Sequence, residues 1–198
     1  MPEAIGLALI IGYALGSVPV ALHVARFHEV DLYRVGDGNP GAWNALEQLG
    51  PRRAWPAFIG DGLKGLLAGL LGLALGGVPV AYVAVAAAML GHCFPMFADF
   101  RGGKAVMTFA GGAFALSPVA AVIALVACGL VSFVTRGFRW GARVGVFGFP
   151  VIQLVVDPVG RVIATGALMS IIGLRYLFAR HTGTPGHARS APGAPRRA

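Results

Sequence analysis

Seven apolar runs occupy most of this chain, and they leave a membrane protein as the only comfortable reading. They cover residues 4–25, 54–75, 78–97, 105–116, 119–135, 141–156 and 159–179. A helix needs roughly 20 such residues to cross the ~30 Å hydrocarbon core of a bilayer. The run over 105–116 has only 12, which reaches about 18 Å at the usual helical rise. It reads as a half-length helix that turns at Ser117-Pro118. The pattern therefore predicts an all-α, polytopic integral membrane helical bundle with five to seven spans. Composition agrees, with 57% hydrophobic and 12% charged residues against about 45–50% and about 25% in soluble domains. Thirty glycines fit as well, since small residues let membrane helices approach closely.

The charge of the chain lies between the runs. A net charge of +8 raises the possibility of nucleic acid, but no aromatic-interleaved basic patch of the kind that grips a strand is present. The basic residues instead follow the positive-inside rule. With the N-terminus outside, the inner loops hold Arg26, Arg34, Arg52 and Arg53, then Arg101 and Lys104, then Arg136, Arg139 and Arg143. The turns at Gly76-Gly77, Ser117-Pro118 and Asp157-Pro158 carry none, and only Arg161 starts a run on that side. The N-terminus is thus expected outside and the C-terminus in the cytoplasm. Residues 1–181 form one membrane domain, and 182–198 read as a disordered basic cytoplasmic tail, rich in Gly, Pro, Ala and Arg. Met-Pro-Glu lacks the basic segment of a signal peptide, so the first run is expected to be retained. Cys93 and Cys128 lie in apolar context without a CxxC, which argues against a disulfide or a zinc site. Nothing in the pattern fixes an oligomeric state.

Three stretches carry chemistry. In GHCFPMFADFRGGKAVMT, residues 91–108, an apolar run breaks at Pro95 and turns through Gly102-Gly103-Lys104 into the next. Paired glycines can aim backbone N–H groups at one point, and a lysine at a helix start adds full charge. This is a cradle for a phosphate-sized anion, or else an ordinary turn between two membrane helices. The 28-residue loop over 26–53 is too long for a plain connector and holds Gly36-Asp37-Gly38-Asn39-Pro40-Gly41. In the second run Asp61 and Lys64 share a helix face. Ionisable groups inside a span are functional candidates, although an internal ion pair that fixes packing explains them equally well.

These stretches converge on a family. GSVPVALHVARFHEVDLYRVGDGNPGAWNALEQLG, then DGLKG, then GHCFPMFADFRGGKAVMT, with YLFARH near the end, resemble in order and spacing the signatures of the bacterial acyl-phosphate-dependent glycerol-3-phosphate acyltransferases, the PlsY type. The resemblance covers the chain up to His181. It implies a helical bundle in the bacterial inner membrane, multi-pass, with its site on the cytoplasmic face. It implies transfer of a fatty acyl group from acyl phosphate to the 1-hydroxyl of glycerol 3-phosphate, giving lysophosphatidic acid for phospholipid synthesis. No metal or other cofactor is implied, and the partners are the two substrates and the lipid bilayer. A mixed anhydride carries a good leaving group, so anion binding, alignment and charge stabilisation suffice for the chemistry.

The resemblance places Lys104, His181, Asn39 and Asp37 among the catalytic positions. Gly36, Gly38, Gly41, Asn44, Lys64, His92, Gly102 and Gly103 fall at substrate-binding ones, and Asp61 is also retained. Several positions depart from the family pattern. GSGN-x-GATN-x-x-R reads GDGN-P-GAWN-A-L-E, so Asp37, Trp43 and Glu47 replace serine, threonine and a phosphate-binding arginine. Ala105 replaces a glycine, Arg139 and Ala142 replace serines, and Thr184 replaces an asparagine. Two unit charges about 4 Å apart interact by roughly 4 kcal/mol at an effective dielectric near 20, so an Arg-to-Glu exchange swings strongly against phosphate. Arg139 and Arg143, four apart on one face, are candidates to restore that charge, or simply part of the inner-loop bias. The reading is an acyltransferase with a remodelled acceptor site. The alternative is a catalytically degenerate relative that binds acyl phosphate or lipid as a regulator or partner.

Overall fold

The computed structural model describes residues 1–181, and among them every regular element is helical. The first apolar run gives two helices, α1 (Pro2–Gly16) and α2 (Val20–Phe27). The break falls where Pro19 lacks an N–H for the ladder and its ring crowds the preceding turn. The long loop then forms α3 (Ala42–Leu49), a short amphipathic helix whose inner face carries Ala42, Asn44 and Ala45.

The next element, α4 (Pro51–Cys93), is a hairpin and not a rod. Gly76 and Gly77 leave helical geometry, and Gly77 takes φ +74°, a conformation that other L-residues resist. The chain reverses there, bringing Gly72 against Ala81 and Gly69 against Val85. The two legs match the predicted runs over 54–75 and 78–97, except that the second leg ends at Cys93. Phe94 is already non-helical, because a residue before proline is pushed out of the α region.

One 3₁₀ turn (Met96–Ala98) leads to α5 (Val106–Leu116), the short helix that its run predicted. The helices α6 (Pro118–Thr135), α7 (Phe138–Val156) and α8 (Val159–His181) complete the bundle. Among the described residues, four segments are long and apolar enough to cross a membrane: Pro2–Phe27, Pro51–Ala98, Pro118–Thr135 and Val159–Phe178. The second of these contains both legs of the hairpin. The tail over 182–198 lies outside the described residues.

Packing is inverted relative to a soluble protein. The interior is mostly alanine and glycine, while Ile59, Leu63, Leu67 and Leu70 form an outward stripe on α4 and Val119, Val122, Val126, Leu130 and Phe133 line the outside of α6. Such exposure is stable against acyl chains, because lipid is as apolar as leucine. Close backbone approach holds the inner helices together. A Cβ at Gly65 would collide with the Thr108 carbonyl of α5, and one at Gly16 with Ala88 of α4.

The reversals at 76–77, 117 and 157–158 gather at one end of the bundle. A polar clasp ties that end. Ser117 Oγ donates to Asp157, which also accepts from Arg161 at 3.0 Å and Gln153 at 3.1 Å. The Tyr82 hydroxyl donates to the Arg161 carbonyl at 3.0 Å. Every long loop lies at the opposite end, and so does the cavity described next.

Candidate active site

A cavity of about 260 Å³ opens at the loop end and runs down between α4, α5, α6 and α7. Its two parts differ in chemistry. Asp37, Asn39 and Lys104 form a polar mouth, with Asp61 and His92 behind them. Below, the walls are Val106, Phe109, Ala113, Ala121, Ala124, Leu125, Val146 and Phe149. Phe109 and Phe149 meet edge to face with centroids 5.7 Å apart. Alanines on facing helices leave the space that larger side chains would fill.

The mouth begins in the loop between α2 and α3. The Asn44 amide is buried and shares its protons among the carbonyls of Leu32, Val35 and Asn39, at 3.1, 3.0 and 3.1 Å. It acts as the pin of this loop, with its amide protons already used and its Oδ1 buried without a hydrogen-bond partner. Gly36 and Gly38 take φ +60° and +68°, and a Cβ at Gly36 would run into Asn44 Oδ1. Asp37 Oδ1 accepts the Asn39 N–H at 3.1 Å, a local turn that aspartate favours. Tyr33 joins this loop to the next, donating to the Arg101 carbonyl at 2.7 Å with the Arg101 guanidinium 4.4 Å from its ring centre. Burial raises the Tyr33 phenol above its ordinary value despite the opposing Arg101 charge, which keeps the hydroxyl a donor.

Gly102-Gly103-Lys104 forms the other lip. The Gly103 N–H donates to the His92 carbonyl at 3.1 Å. Arg175 of α8 grips the far side of the turn, donating to the Gly103 carbonyl at 3.2 Å and the Gly102 carbonyl at 2.8 Å. The glycines therefore serve close backbone packing against the end of α4, and the Gly103 amide is already used. What faces the mouth is the start of α5, entered through Ala105 at φ +58°. Its first N–H groups have no intrahelical partner and carry partial positive charge. Lys104 Nζ lies 2.9 Å from Asp37 Oδ2 and 4.5 Å from the centre of the Tyr176 ring. This contact joins residues 67 apart in sequence.

Behind the mouth, Lys64 Nζ sits 2.9 Å from Asp61 Oδ1 and donates to the Val18 carbonyl at 3.0 Å. It does not line the main cavity. His92 Nδ1 is 3.7 Å from the same Asp61 oxygen. Asp61 Oδ2 is buried without a hydrogen-bond partner.

Other expected residues stand elsewhere. Arg139 and Arg143 are exposed and outside the cavity lining, and Arg143 covers the Trp140 ring at 4.8 Å. They bring no charge to the mouth. Trp43 and Glu47 are partners: the indole N–H donates to Glu47 Oε1 at 2.8 Å, and the ring stacks on Phe138 of α7 at 5.8 Å. His181 is the last residue of α8, and its side chain lies outside the described ones. Arg175 and Tyr176 were missed in the sequence. An arginine deep inside the last apolar run was the available signal, since charge within a span marks function by default.

A polar, lysine-bearing mouth above an apolar arm, set in a lipid-facing bundle, defines a membrane protein that handles an anionic head and a fatty chain together. Known proteins agree. The sequence model described as glycerol-3-phosphate acyltransferase matches residues 6–187. A glycerol-3-phosphate acyltransferase of Jannaschia sp. is 37% identical over 176 residues, covering 87% of this chain and 85% of its own length. One from Rubrobacter xylanophilus is 47% identical over 113 residues, 57% of each chain. Crystal structures of PlsY, an integral membrane glycerol 3-phosphate acyltransferase, superpose with TM-scores of 0.78 in the glycerol 3-phosphate form and 0.75 in the lysophosphatidic acid form, at 28% and 27% identity. Each covers 89% of this chain and 90% of the crystallised one. The chain belongs to the glycerol-3-phosphate acyltransferase family.

Proposed function

We propose that this protein transfers a fatty acyl group from acyl phosphate to glycerol 3-phosphate, releasing inorganic phosphate and lysophosphatidic acid. One observation carries the reading: Lys104 stands where the polar mouth meets the apolar arm, the point at which an acyl phosphate changes from anion to hydrocarbon. The ammonium and the unpaired N–H groups of α5 suit the phosphate, and the arm below suits the chain. Breaking the acyl–oxygen bond leaves charge on the phosphate, and fixed positive groups stabilise that developing charge without reorganising. Asn39 and the loop held by Gly36, Gly38, Gly41 and Asn44 form the side from which the acceptor approaches. His92 and the buried Lys64–Asp61 pair support the floor of the mouth.

The mouth faces the cytoplasm, with the N-terminus outside. In support, Arg34, Arg52, Arg53, Arg101, Lys104, Arg136 and Arg139 all lie at the cavity end, and cytoplasmic ends of membrane proteins carry such an excess.

The test uses detergent-purified protein with labelled glycerol 3-phosphate and either palmitoyl phosphate or palmitoyl-CoA. The expected result is lysophosphatidic acid with equimolar phosphate from the first donor alone. Product from the thioester alone, or phosphate release without ester, contradicts the reading.

A further inference from the structure

Asp37 has more capacity than its resting contacts use. Its Oδ1 accepts one backbone N–H and its Oδ2 faces the Lys104 ammonium at 2.9 Å. A carboxylate offers about four lone-pair sites, so about two remain on a side chain that is 48% exposed and lines the cavity mouth. Lys104 likewise aims one of its three protons at Asp37 and keeps the others for a second anion. We propose that Asp37 is the general base of the transfer, taking the acceptor hydroxyl's proton while Lys104 beside it holds the donor's phosphate. The inference rests on the acyl-phosphate reading above and names the residue that activates the acceptor.

The step balances without a further reactant. The hydroxyl proton moves to the Asp37 carboxylate as the oxygen bonds to the acyl carbon. The bond from that carbon to the phosphate oxygen breaks, and its electron pair leaves with phosphate next to Lys104. The proton then passes from Asp37 to the departing phosphate, which restores the carboxylate. The 2.9 Å separation of the two side chains sets nucleophile and leaving group against each other, the alignment on which such a reaction depends.

The other ionisable groups around the mouth are less well placed. Asp61 is 1% exposed and held by Lys64, and the His92 ring is packed against Gly103. Tyr176 lies under the Lys104 ammonium. Glu47 is bonded to Trp43, and Arg139 and Arg143 of α7 do not line the cavity.

The experiment measures kcat and KM across pH for wild type, Asp37→Asn and Asp37→Glu, with palmitoyl phosphate and glycerol 3-phosphate. General bases contribute about 100- to 10,000-fold. Asp37→Asn should therefore lower kcat by at least about 100-fold, with little change in KM for the donor, and should lose an acid limb present in the wild type. Asp37→Glu should show an acid limb displaced from the wild-type position and recover part of kcat. A variant Asp37→Asn with near wild-type kcat, or one that changes KM alone and keeps the acid limb, overturns the proposal and makes Asp37 a strut for Lys104. Should Asp37→Asn fail to fold, Asp37→Glu decides: an acid limb at the wild-type position overturns the proposal, and a displaced one supports it. Wild type that makes no ester overturns the function as well, whereas active wild type with unimpaired Asp37→Asn overturns this inference alone.

Discussion

Two lysine–aspartate contacts of the same length serve the loop end of the bundle, and they do different work. Lys64 and Asp61 meet at 2.9 Å with side chains 6% and 1% exposed. Lys104 and Asp37 also meet at 2.9 Å, with side chains 16% and 48% exposed. The first pair is i, i+3 on one helix and is locked to the link between α1 and α2 by the Val18 carbonyl. The second spans two loops and opens on the cavity. A buried pair has already lost its water, so its charges answer to fixed protein neighbours, here each other, the Val18 carbonyl and His92. A half-open pair can exchange its partner for a substrate anion. Contact distance alone does not separate a strut from a site; exposure and the neighbouring space do.

The largest effect is expected at the closed pair. Removing one partner of a buried ion pair costs about 3–5 kcal/mol, because the remaining charge stays uncompensated. Lys64→Met should lower thermal stability in detergent by that much. The double change with Asp61→Leu should recover a good part of it, which fluorescence-monitored melting will show. No recovery would mean that the pair is more than a strut.

A middle-sized effect belongs to the aromatic wall. Trp43→Ala removes both the stack on Phe138 and the bond to Glu47. Aromatic pairs contribute about 0.5–1.5 kcal/mol beyond the area they bury. The expected result is a melting temperature lower by about 2–4 °C and, because Trp43 lines the cavity, a several-fold rise in KM for palmitoyl phosphate. Glu47→Arg is smaller still. Exposed charges interact by about 0–1 kcal/mol, so KM for glycerol 3-phosphate should fall by less than about fivefold. Smallest are Arg139→Ala and Arg143→Ala. Neither residue lines the cavity, and activity should stay within about twofold.

The sequence was most legible where local pattern decides. Run lengths gave the half-length α5 and both legs of the α4 hairpin, and loop charge placed the basic residues at one end. The i, i+3 spacing of Asp61 and Lys64 gave their pairing, since helix geometry fixes it. Trp43 and Glu47 are four apart on α3, so their pairing was open to the same logic, yet each reads as a lost ligand until the structure joins them. The Asp37–Lys104 contact was not legible, because 67 residues and the whole α4 hairpin separate its ends. The grip of Arg175 on Gly102 and Gly103 depends in the same way on how α8 docks. The paired glycines read as an anion nest, whereas their tight fit against His92 and the end of α4 is a matter of packing that no local pattern encodes.

The most direct measurement sets Lys104→Ala beside Lys64→Met, with acyl transfer from palmitoyl phosphate and thermal melting read on both. Lys104→Ala should keep the wild-type melting temperature within a few degrees and lose transfer by about three powers of ten, the worth of a roughly 4 kcal/mol charge contact. Lys64→Met should show the opposite balance, a large loss of stability with transfer surviving in the folded fraction. Transfer by Lys104→Ala at the wild-type rate would contradict the account, because the lysine at the cavity mouth would then have no part in handling the donor.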